Sequence, residues 1–292
     1  MSFAARLAVA VSLALVAGVP ACARPDVHHD VPYDTRFGDD TIMDVYVPPG
    51  SAVHAGVLLI HGGAWVSGSK SEYTQAADRL ARSGYVAATI NYRLVPDGAY
   101  PHAMQDCACA LSYFRAHAAE YRLDPSRVAV MGYSAGGHLA ALIGVANDST
   151  AFVPDCPSGR SGPPVAVIAG AAPLDFRGKD NSFLRNLLGG SPDEVPDHYV
   201  DASPMAHVGP GKPPFLFIGG RADWLVSLDE ARDMRDGLRA AGSEANVLEV
   251  AGGGHLLQPA TDTGDVVLEE SDLTPEAWIA VIDFLDRTLA AR

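Results

Sequence analysis

The stretch Gly-Tyr-Ser-Ala-Gly at residues 132–136 decides how this chain folds. It follows the apolar run Val-Ala-Val-Met at residues 128–131 and precedes the helix-compatible stretch Gly-His-Leu-Ala-Ala-Leu-Ile at residues 137–143. This order of strand, Gly-x-Ser-x-Gly turn and helix places the serine on a sharp, strained turn. Glycine is needed at both ends because a side chain there would press against the adjoining strand or helix. The pentapeptide alone also occurs in ordinary turns, but its flanks favour Ser134 as a nucleophile that attacks a carbonyl group.

The composition is that of an acidic protein with a packed core. Of the 292 residues, 48% are hydrophobic and 19% are charged, which is ample apolar material for a core. The 35 Asp and Glu residues outnumber the 21 Lys and Arg residues, and the formal net charge is −14. Such a charge repels a phosphate backbone, and the sequence offers no basic stripe, so we expect no nucleic-acid partner.

The first 23 residues have the pattern of an export signal. One positive charge, Arg6, precedes residues 7–19, which are apolar apart from a single serine. This run is shorter than the about 20 residues that span a bilayer, and it ends in the cleavage pattern Ala-Cys-Ala. We expect a signal peptide at residues 1–23 and one mature domain at residues 24–292. The alternative is a lipobox at residues 19–22, which would leave an acylated Cys22 as the membrane contact; both place the protein outside the cytoplasm, secreted or in the cell envelope.

The three cysteines of the mature chain leave their pairing open. Cys107 and Cys109 lie about 200° apart around a predicted helix, so they cannot bridge each other without unwinding it. Either could reach Cys156, which lies in a loop rich in Pro and Gly. That helix is expected to begin at the carboxyl edge of the sheet, whereas the loop leaves from the opposite edge. The sequence therefore favours small buried thiols over a disulfide.

Short apolar runs alternate with amphipathic stretches along the chain, which predicts a mostly parallel sheet covered by helices on both faces, an α/β class. The run at residues 56–60 is uniformly apolar, as expected of a strand buried on both faces, whereas residues 42–47 alternate like an exposed strand. Further strands are predicted at residues 85–90, 128–131, 165–170, 214–218 and 246–250, and helices at 72–82, 101–121, 137–143 and from Pro275, with Thr274 as N-cap. Residues 175–213 break the alternation and are expected to form a lid-like insertion over the carboxyl edge.

A second glycine-containing loop directly follows the buried strand at residues 56–60. It reads His-Gly-Gly-Ala-Trp at residues 61–65. Glycines just beyond a strand let backbone N–H groups point inward, which is what a developing oxyanion requires. The N–H group of Ala135, at the start of the helix after the nucleophile, supplies another donor.

A serine nucleophile needs a base, and the base needs an acid to orient it. His255 follows the last predicted strand in a run of glycines, and Asp223 follows the strand that ends near residue 218. The chain order serine, acid, histidine is that of α/β-hydrolases. We therefore predict a Ser134–Asp223–His255 triad, with Asp175 as the alternative acid. The other histidines after Ser134, at positions 138, 198 and 207, are expected to face solvent, pack against a helix or lie in the lid.

Taken together, these motifs resemble the α/β-hydrolase superfamily, and more narrowly the secreted esterases of the hormone-sensitive-lipase and feruloyl-esterase-like (BD-FAE-like) branch. The shared motifs are residues 61–65, Asn-Tyr-Arg-Leu at 91–94 and Gly-Tyr-Ser-Ala-Gly-Gly-His at 132–138, and the likeness runs from about Asp34 to the C-terminus. The resemblance implies an oxyanion hole formed by the N–H groups of three residues, Gly63, Ala64 and Ala135. It also implies that His61 braces the loop and that Trp65 and Tyr133 contact the substrate. Ala64 stands where much of the lipase-like branch has a third glycine; the N–H group remains, so we expect the oxyanion hole to be kept, while the shape of the substrate is left open.

The resemblance implies hydrolysis of small or medium carboxylic esters through an acyl-enzyme, with neither metal nor organic cofactor. The segment His-His-Asp at residues 28–30 could suggest a metal site, but we expect a flexible, solvated segment there. Two alternatives remain open: an amide hydrolase, such as an arylformamidase or a peptidase, and a hydrolase-like binding module without catalytic activity.

Overall fold

An eight-stranded sheet organises the residues that the computed structural model describes, namely 24–255, 257 and 273–291. The strands are β1 (Asp26–Pro32), β2 (Ile42–Val47), β3 (His54–Ile60), β4 (Val86–Ile90), β5 (Leu123–Tyr133), β6 (Val167–Gly170), β7 (Phe215–Gly220) and β8 (Ala245–Val250). Their spatial order is β1-β2-β4-β3-β5-β6-β7-β8, in which β1 and β2 pair antiparallel and all strands from β4 to β8 run parallel. The predicted signal peptide and lipobox lie outside the described residues.

Helices cover both faces of this sheet, as the alternating pattern predicts. They are α1 (Thr74–Arg82), α2 (His102–Ala116), α3 (Ala135–Val145), α4 (Ser182–Leu188), α5 (Pro196–Asp201), α6 (Leu228–Ala240) and α7 (Pro275–Thr288), with short 3-10 helices at Thr35–Thr41, Lys70–Tyr73 and Pro204–His207. Side chains of β3 alternate between the faces: Leu58 and Ile60 belong to the core that includes residues of α2, α3 and α6, whereas Val57 and Leu59 belong to the core that includes residues of α1 and α7. The uniform apolar run therefore reflects two separate cores, one on each face. Within the described ranges, no helix combines the length and apolar character needed to cross a bilayer.

The first two strands, β1 and β2, differ from the sequence-based expectation. Residues 28–30 belong to β1 rather than to a flexible segment, and β1 pairs antiparallel with β2. Consequently β2 is buried along its whole length and is not an exposed strand. Its one acidic residue, Asp44, tolerates burial because it accepts hydrogen bonds from Lys70 Nζ at 2.7 Å and from the N–H group of Asp30 at 2.8 Å.

A disulfide joins Cys109 on α2 to Cys156, with 6.1 Å between their Cα atoms, so the expectation of free thiols is wrong for this pair. The loop that carries Cys156 does leave from the amino edge of the sheet, but it runs back along α2. Gln105 Nε2 donates to the backbone oxygen of Val153 at 3.2 Å, near the start of the helix. The loop thereby reaches the middle of α2, where Cys109 lies, while Cys107 is free and buried in the core.

Residues 175–213, the predicted insertion, lie over the first turn of α3. The segment contains α4, α5 and the last of the 3-10 helices. Its backbone oxygen at Ala202 accepts a hydrogen bond from His138 Nε2 at 2.8 Å, and the carboxylate of Asp201 accepts one from Tyr100 at 2.8 Å. The segment is thus attached both to the helix after Ser134 and to the loop after β4.

Candidate active site

Ser134 lies on a sharp turn between β5 and α3. Its φ and ψ angles are 53° and −122°, a strained conformation that costs about 1–3 kcal/mol for a residue with a side chain. The neighbouring backbone holds it there, because the N–H group of Ser134 donates to the oxygen of Gly170 at 2.8 Å. A Cβ atom on Gly132 would overlap the backbone of Gly136, and one on Gly136 would overlap the oxygen of Ile60. The turn therefore requires glycine at both positions, as its sequence indicates.

The structure brings Ser134, Asp223 and His255 together. His255 Nε2 lies 3.0 Å from Ser134 Oγ, and its Nδ1 lies 2.8 Å from Asp223 Oδ2. Each residue follows a different strand, β5, β7 or β8, and the carboxyl ends of these parallel strands meet at one edge of the sheet. In this geometry the Nδ1–H group donates to the carboxylate, which leaves the Nε2 lone pair to accept the serine proton.

Asp223 is held firmly as a carboxylate. Its side chain is 1% exposed, and its second oxygen accepts hydrogen bonds from the N–H groups of Leu225 at 2.8 Å and Val226 at 2.9 Å. Burial acts to raise the pKa of this carboxyl, but the hydrogen bonds from His255 and from the two N–H groups outweigh it and hold the pKa below its ordinary value. The alternative acid, Asp175, is instead paired with Arg177 at 2.7 Å.

The loop after β3 has three consecutive residues with positive φ, of which Ala64 and Trp65 are strained because they carry side chains. Gly63, Ala64 and Trp65 have φ angles of 89°, 51° and 62°, in the left-handed region that residues with a side chain seldom adopt. The backbone oxygen of Gly63 closes the turn by accepting from the N–H group of Val66 at 3.0 Å. In the described part of the chain, no hydrogen bond uses the N–H groups of Gly63, Ala64 or Ala135, the three predicted oxyanion donors.

His61 is placed where it can support this loop. The side chain is buried, its ring stacks on that of Tyr92 with the centroids 4.3 Å apart, and its Nδ1 lies 3.0 Å from the backbone oxygen of Gly62. Burial lowers the pKa of the imidazole, which favours its neutral form.

Trp65 and Tyr133, the two expected substrate contacts, are both largely buried. Trp65 is 5% exposed, and its indole N–H group donates to His138 Nδ1 at 3.3 Å. Tyr133 is 6% exposed, and its hydroxyl donates to the backbone oxygen of His255 at 2.6 Å. The polar groups of both side chains thus have partners within the fold, and contact of the two rings with substrate stays a prediction.

Sequence reasoning missed one feature next to Asp223 and left the placement of His138 open. Trp224 and Leu225, directly after Asp223, are 77% and 56% exposed, so two large apolar side chains next to the acid face solvent. A tryptophan next to the predicted acid was the signal for this. His138 is fully buried in α3, so of the placements that the sequence left open the solvent-facing one does not apply to it; the apolar residues that surround it in the helix were the signal.

Metal ligation has no support among residues 24–255, 257 and 273–291, where no group of three or more His, Cys, Asp or Glu side chains is arranged to hold an ion. His29 of the His-His-Asp segment lies 3.3 Å from Asp44, within the β1–β2 pair.

Comparison with known proteins agrees with this architecture. The sequence is 32% identical over 233 residues to esterase LipC of Mycobacterium tuberculosis, which covers 75% of this chain and 58% of LipC. It is also 32% identical over 192 residues to the probable carboxylic ester hydrolase LipM of the same organism, covering 63% of this chain and 44% of LipM. The chain thus spans about half the length of the curated relatives it matches.

Solved structures share the fold. A truncated carbohydrate esterase from gut microbiota superposes with a TM-score of 0.78 at 24% identity, over 92% of this chain and 98% of that one. Esterase Est2 of Thermogutta terrifontis gives a TM-score of 0.69 at 24% identity, over 92% and 94% of the two chains. The sequence model of the BD-FAE family matches residues 43–238, which run from within β2 to within α6 and include two members of the triad, Ser134 and Asp223. The chain therefore has the α/β-hydrolase fold and belongs to the BD-FAE family.

Proposed function

We propose that this protein is a serine hydrolase that cleaves carboxylic esters through an acyl-enzyme on Ser134. The observation that carries the proposal is the imidazole of His255, which is hydrogen-bonded to both the Ser134 hydroxyl and the Asp223 carboxylate. The names of the relatives support ester chemistry, since LipC is an esterase and LipM a probable carboxylic ester hydrolase.

In the first half-reaction, Ser134 Oγ attacks the ester carbonyl carbon while His255 Nε2 takes the hydroxyl proton. The carbonyl oxygen becomes negatively charged, and the N–H groups of Gly63, Ala64 and Ala135 are the donors proposed to stabilise it. When the tetrahedral intermediate collapses, His255 returns the proton to the departing alkoxide, which leaves as the alcohol. Ser134 remains acylated.

In the second half-reaction, His255 Nε2 takes a proton from water, and the hydroxide attacks the acyl carbon. The intermediate collapses with transfer of that proton to Ser134 Oγ, which releases the carboxylic acid and restores the enzyme. Asp223 stabilises the imidazolium in both steps and fixes the tautomer, and its low pKa keeps it ionised for that task.

We propose small or medium esters as substrates. Residues 175–213, which pack over the start of α3, act in this proposal as the lid that limits the pocket, and the exposed Trp224 and Leu225 provide an apolar rim beside the triad. A kinetic series of p-nitrophenyl esters of increasing acyl length, extended to ferulate and acetylated sugar esters, tests it. We expect kcat/KM to be highest at short or medium chains; a steady rise toward long chains would overturn the size limit.

The decisive test of the chemistry is covalent labelling. A fluorophosphonate probe should label the folded wild type at Ser134, and Ser134→Ala should abolish both labelling and ester hydrolysis while retaining the fold. Faster turnover of N-formylkynurenine or a dipeptide nitroanilide than of p-nitrophenyl acetate would favour amide chemistry. Absence of labelling and of hydrolysis in the wild type would leave a binding module.

We also propose that the protein acts outside the cytoplasm. The leader pattern at residues 1–23 and the Cys109–Cys156 disulfide support this, because disulfides persist in oxidising compartments. Cell fractionation should recover the protein from the medium or envelope. The intact mass of the mature chain separates cleavage after Ala23 from an acylated Cys22, and recovery of the unprocessed chain in the cytoplasm would contradict export.

A further inference from the structure

We propose that His138 is a positioning residue, whose imidazole holds Trp65 and thereby keeps the strained loop of Gly63 and Ala64 ready to receive the oxyanion. The inference rests on the proposed function, since it assigns the loop an oxyanion role. His138 belongs to neither the triad nor the oxyanion donors, and its own contacts give it this task.

The two hydrogen bonds of His138 define its tautomer. Trp65 Nε1, which can only donate, lies 3.3 Å from Nδ1, and the backbone oxygen of Ala202, which can only accept, lies 2.8 Å from Nε2. The Nδ1 atom therefore carries the lone pair and Nε2 carries the proton, so the ring is neutral. Burial lowers the pKa of His138 to about 4, in agreement with a neutral ring.

The loop needs such support because Ala64 and Trp65 both have positive φ angles. Strained residues of this kind persist only where the surrounding structure holds them. The backbone of Trp65 is held by a hydrogen bond of 2.9 Å from the N–H group of Val95, and its ring meets Phe176 edge-on at 5.9 Å. The indole N–H group makes its hydrogen bond to His138. This bond fixes the side chain of Trp65, the residue that directly follows Ala64.

His138 also joins this loop to the nucleophile and to the insertion. Its N–H group donates to the backbone oxygen of Ser134 at 3.0 Å, one helical turn away. Its ring lies 4.7 Å from that of Phe176, and the hydroxyl of Ser203, next to Ala202, accepts from the N–H group of Phe176 at 2.8 Å. The imidazole thus links the oxyanion loop to residues 175–213, while the backbone of the same residue bonds to Ser134.

Two substitutions of His138 test its bond to Trp65 separately from its bond to Ala202. In His138→Asn the amide oxygen can occupy the position of Nδ1 and still accept from Trp65, whereas His138→Leu accepts nothing; both lose the bond to Ala202. With p-nitrophenyl acetate we expect His138→Leu to lower kcat at least tenfold, on the order expected for a slightly displaced catalytic donor, with KM changed less than about twofold. His138→Asn should stay within about threefold of the wild-type kcat.

Trp65→Phe tests the same bond from the loop and remains informative if His138→Leu does not fold. It should also lower kcat about tenfold, and the double variant Trp65→Phe/His138→Leu should be no more than about twofold slower than the slower single variant. Equal losses of kcat in His138→Asn and His138→Leu, a wild-type kcat in Trp65→Phe, or a multiplicative loss in the double variant would each overturn the inference.

A spectroscopic readout separates this inference from the proposed function. The chain has three tryptophans, and the indole N–H resonance of Trp65 can be assigned with Trp65→Phe. We expect it to be protected from hydrogen exchange in the wild type and in His138→Asn, and to lose that protection in His138→Leu. If the wild type is inactive and unlabelled but the Trp65 indole N–H shows this pattern of protection, the proposed ester chemistry is overturned and the contact between His138 and Trp65 is not. Unchanged protection in His138→Leu would overturn the positioning role.

Discussion

The hydroxyl of Tyr133 donates a 2.6 Å hydrogen bond to the backbone oxygen of His255, so the residue before the nucleophile fixes the residue that would activate it. Tyr133 ends β5, and His255 lies in the loop after β8. The ring reaches across because Gly170 of β6 has no side chain; a Cβ there would overlap the ring of Tyr133. The bond therefore anchors the loop of His255 to a central strand.

We expect Tyr133→Phe to lower kcat with p-nitrophenyl acetate by about 3- to 10-fold, the equivalent of one lost hydrogen bond, while KM changes little. The control is Tyr33→Phe, which removes a hydroxyl that donates to the backbone oxygen of Asn91, also at 2.6 Å. Thermal unfolding should show a similar loss of stability in both variants, but kcat should fall only in Tyr133→Phe. Equal kcat values in the two variants would show that the bond is merely structural.

Asp223→Asn should lower kcat by about 10⁴-fold, because an amide leaves the geometry intact but no longer favours the imidazole tautomer that accepts the serine proton. The matched control is Asp175→Asn at the alternative acid, whose carboxylate is paired with Arg177. We expect its kcat to remain within about threefold of wild type, since such a partly exposed ion pair contributes little. Steady-state kinetics of both variants decide the assignment, and a larger loss in Asp175→Asn would reverse it.

The parts of the molecule that the sequence predicted are those that local rules determine. Parallel strands end at one edge, so polar residues that follow β5, β7 and β8 had to converge, and Ser134, Asp223 and His255 do so. The glycines around Ser134 predicted a turn in which side chains overlap backbone. These inferences needed only the order of elements along the chain.

The parts that the sequence did not predict depend on contacts between distant residues. β1 has a polar sequence without an apolar run, because it is an edge strand, and its pairing is what buries β2. The path of the loop that carries Cys156 is set by individual contacts, such as Gln105 with Val153, and no periodicity encodes them. The enclosure of Trp65 likewise follows from His138 and Phe176, which come from different segments.

Reduction of the Cys109–Cys156 disulfide should lower the free energy of unfolding by about 2–4 kcal/mol, since it releases a loop with a sequence separation of 47 residues in the unfolded chain. Urea unfolding of the wild type with and without dithiothreitol measures this. Cys109→Ser/Cys156→Ser should show the lower stability in both conditions, whereas Cys107→Ala, at the free buried thiol, should keep the response to dithiothreitol. Equal stability of the reduced and oxidised wild type would contradict a structural role for the bond.

The neutral His138 should make the fold sensitive to mild acid. Burial lowers its pKa from 6.5 to about 4. Between these pH values the unfolded chain binds a proton at this residue, whereas the folded protein does not. Stability is therefore fully present above pH 6.5 and is lost progressively as the pH falls toward 4.

Because of this one residue, the free energy of unfolding should be about 2 kcal/mol lower at pH 5 than at pH 7.5. His138→Asn has no such group, so its stability relative to wild type should improve by about the same amount between pH 7.5 and pH 5. Urea unfolding of both proteins at the two pH values, without reductant, measures the difference. A gap between wild type and His138→Asn that does not change with pH would mean that His138 accepts its proton as readily inside the fold as in the unfolded chain, and the neutral ring that holds Trp65 would then lack its physical basis.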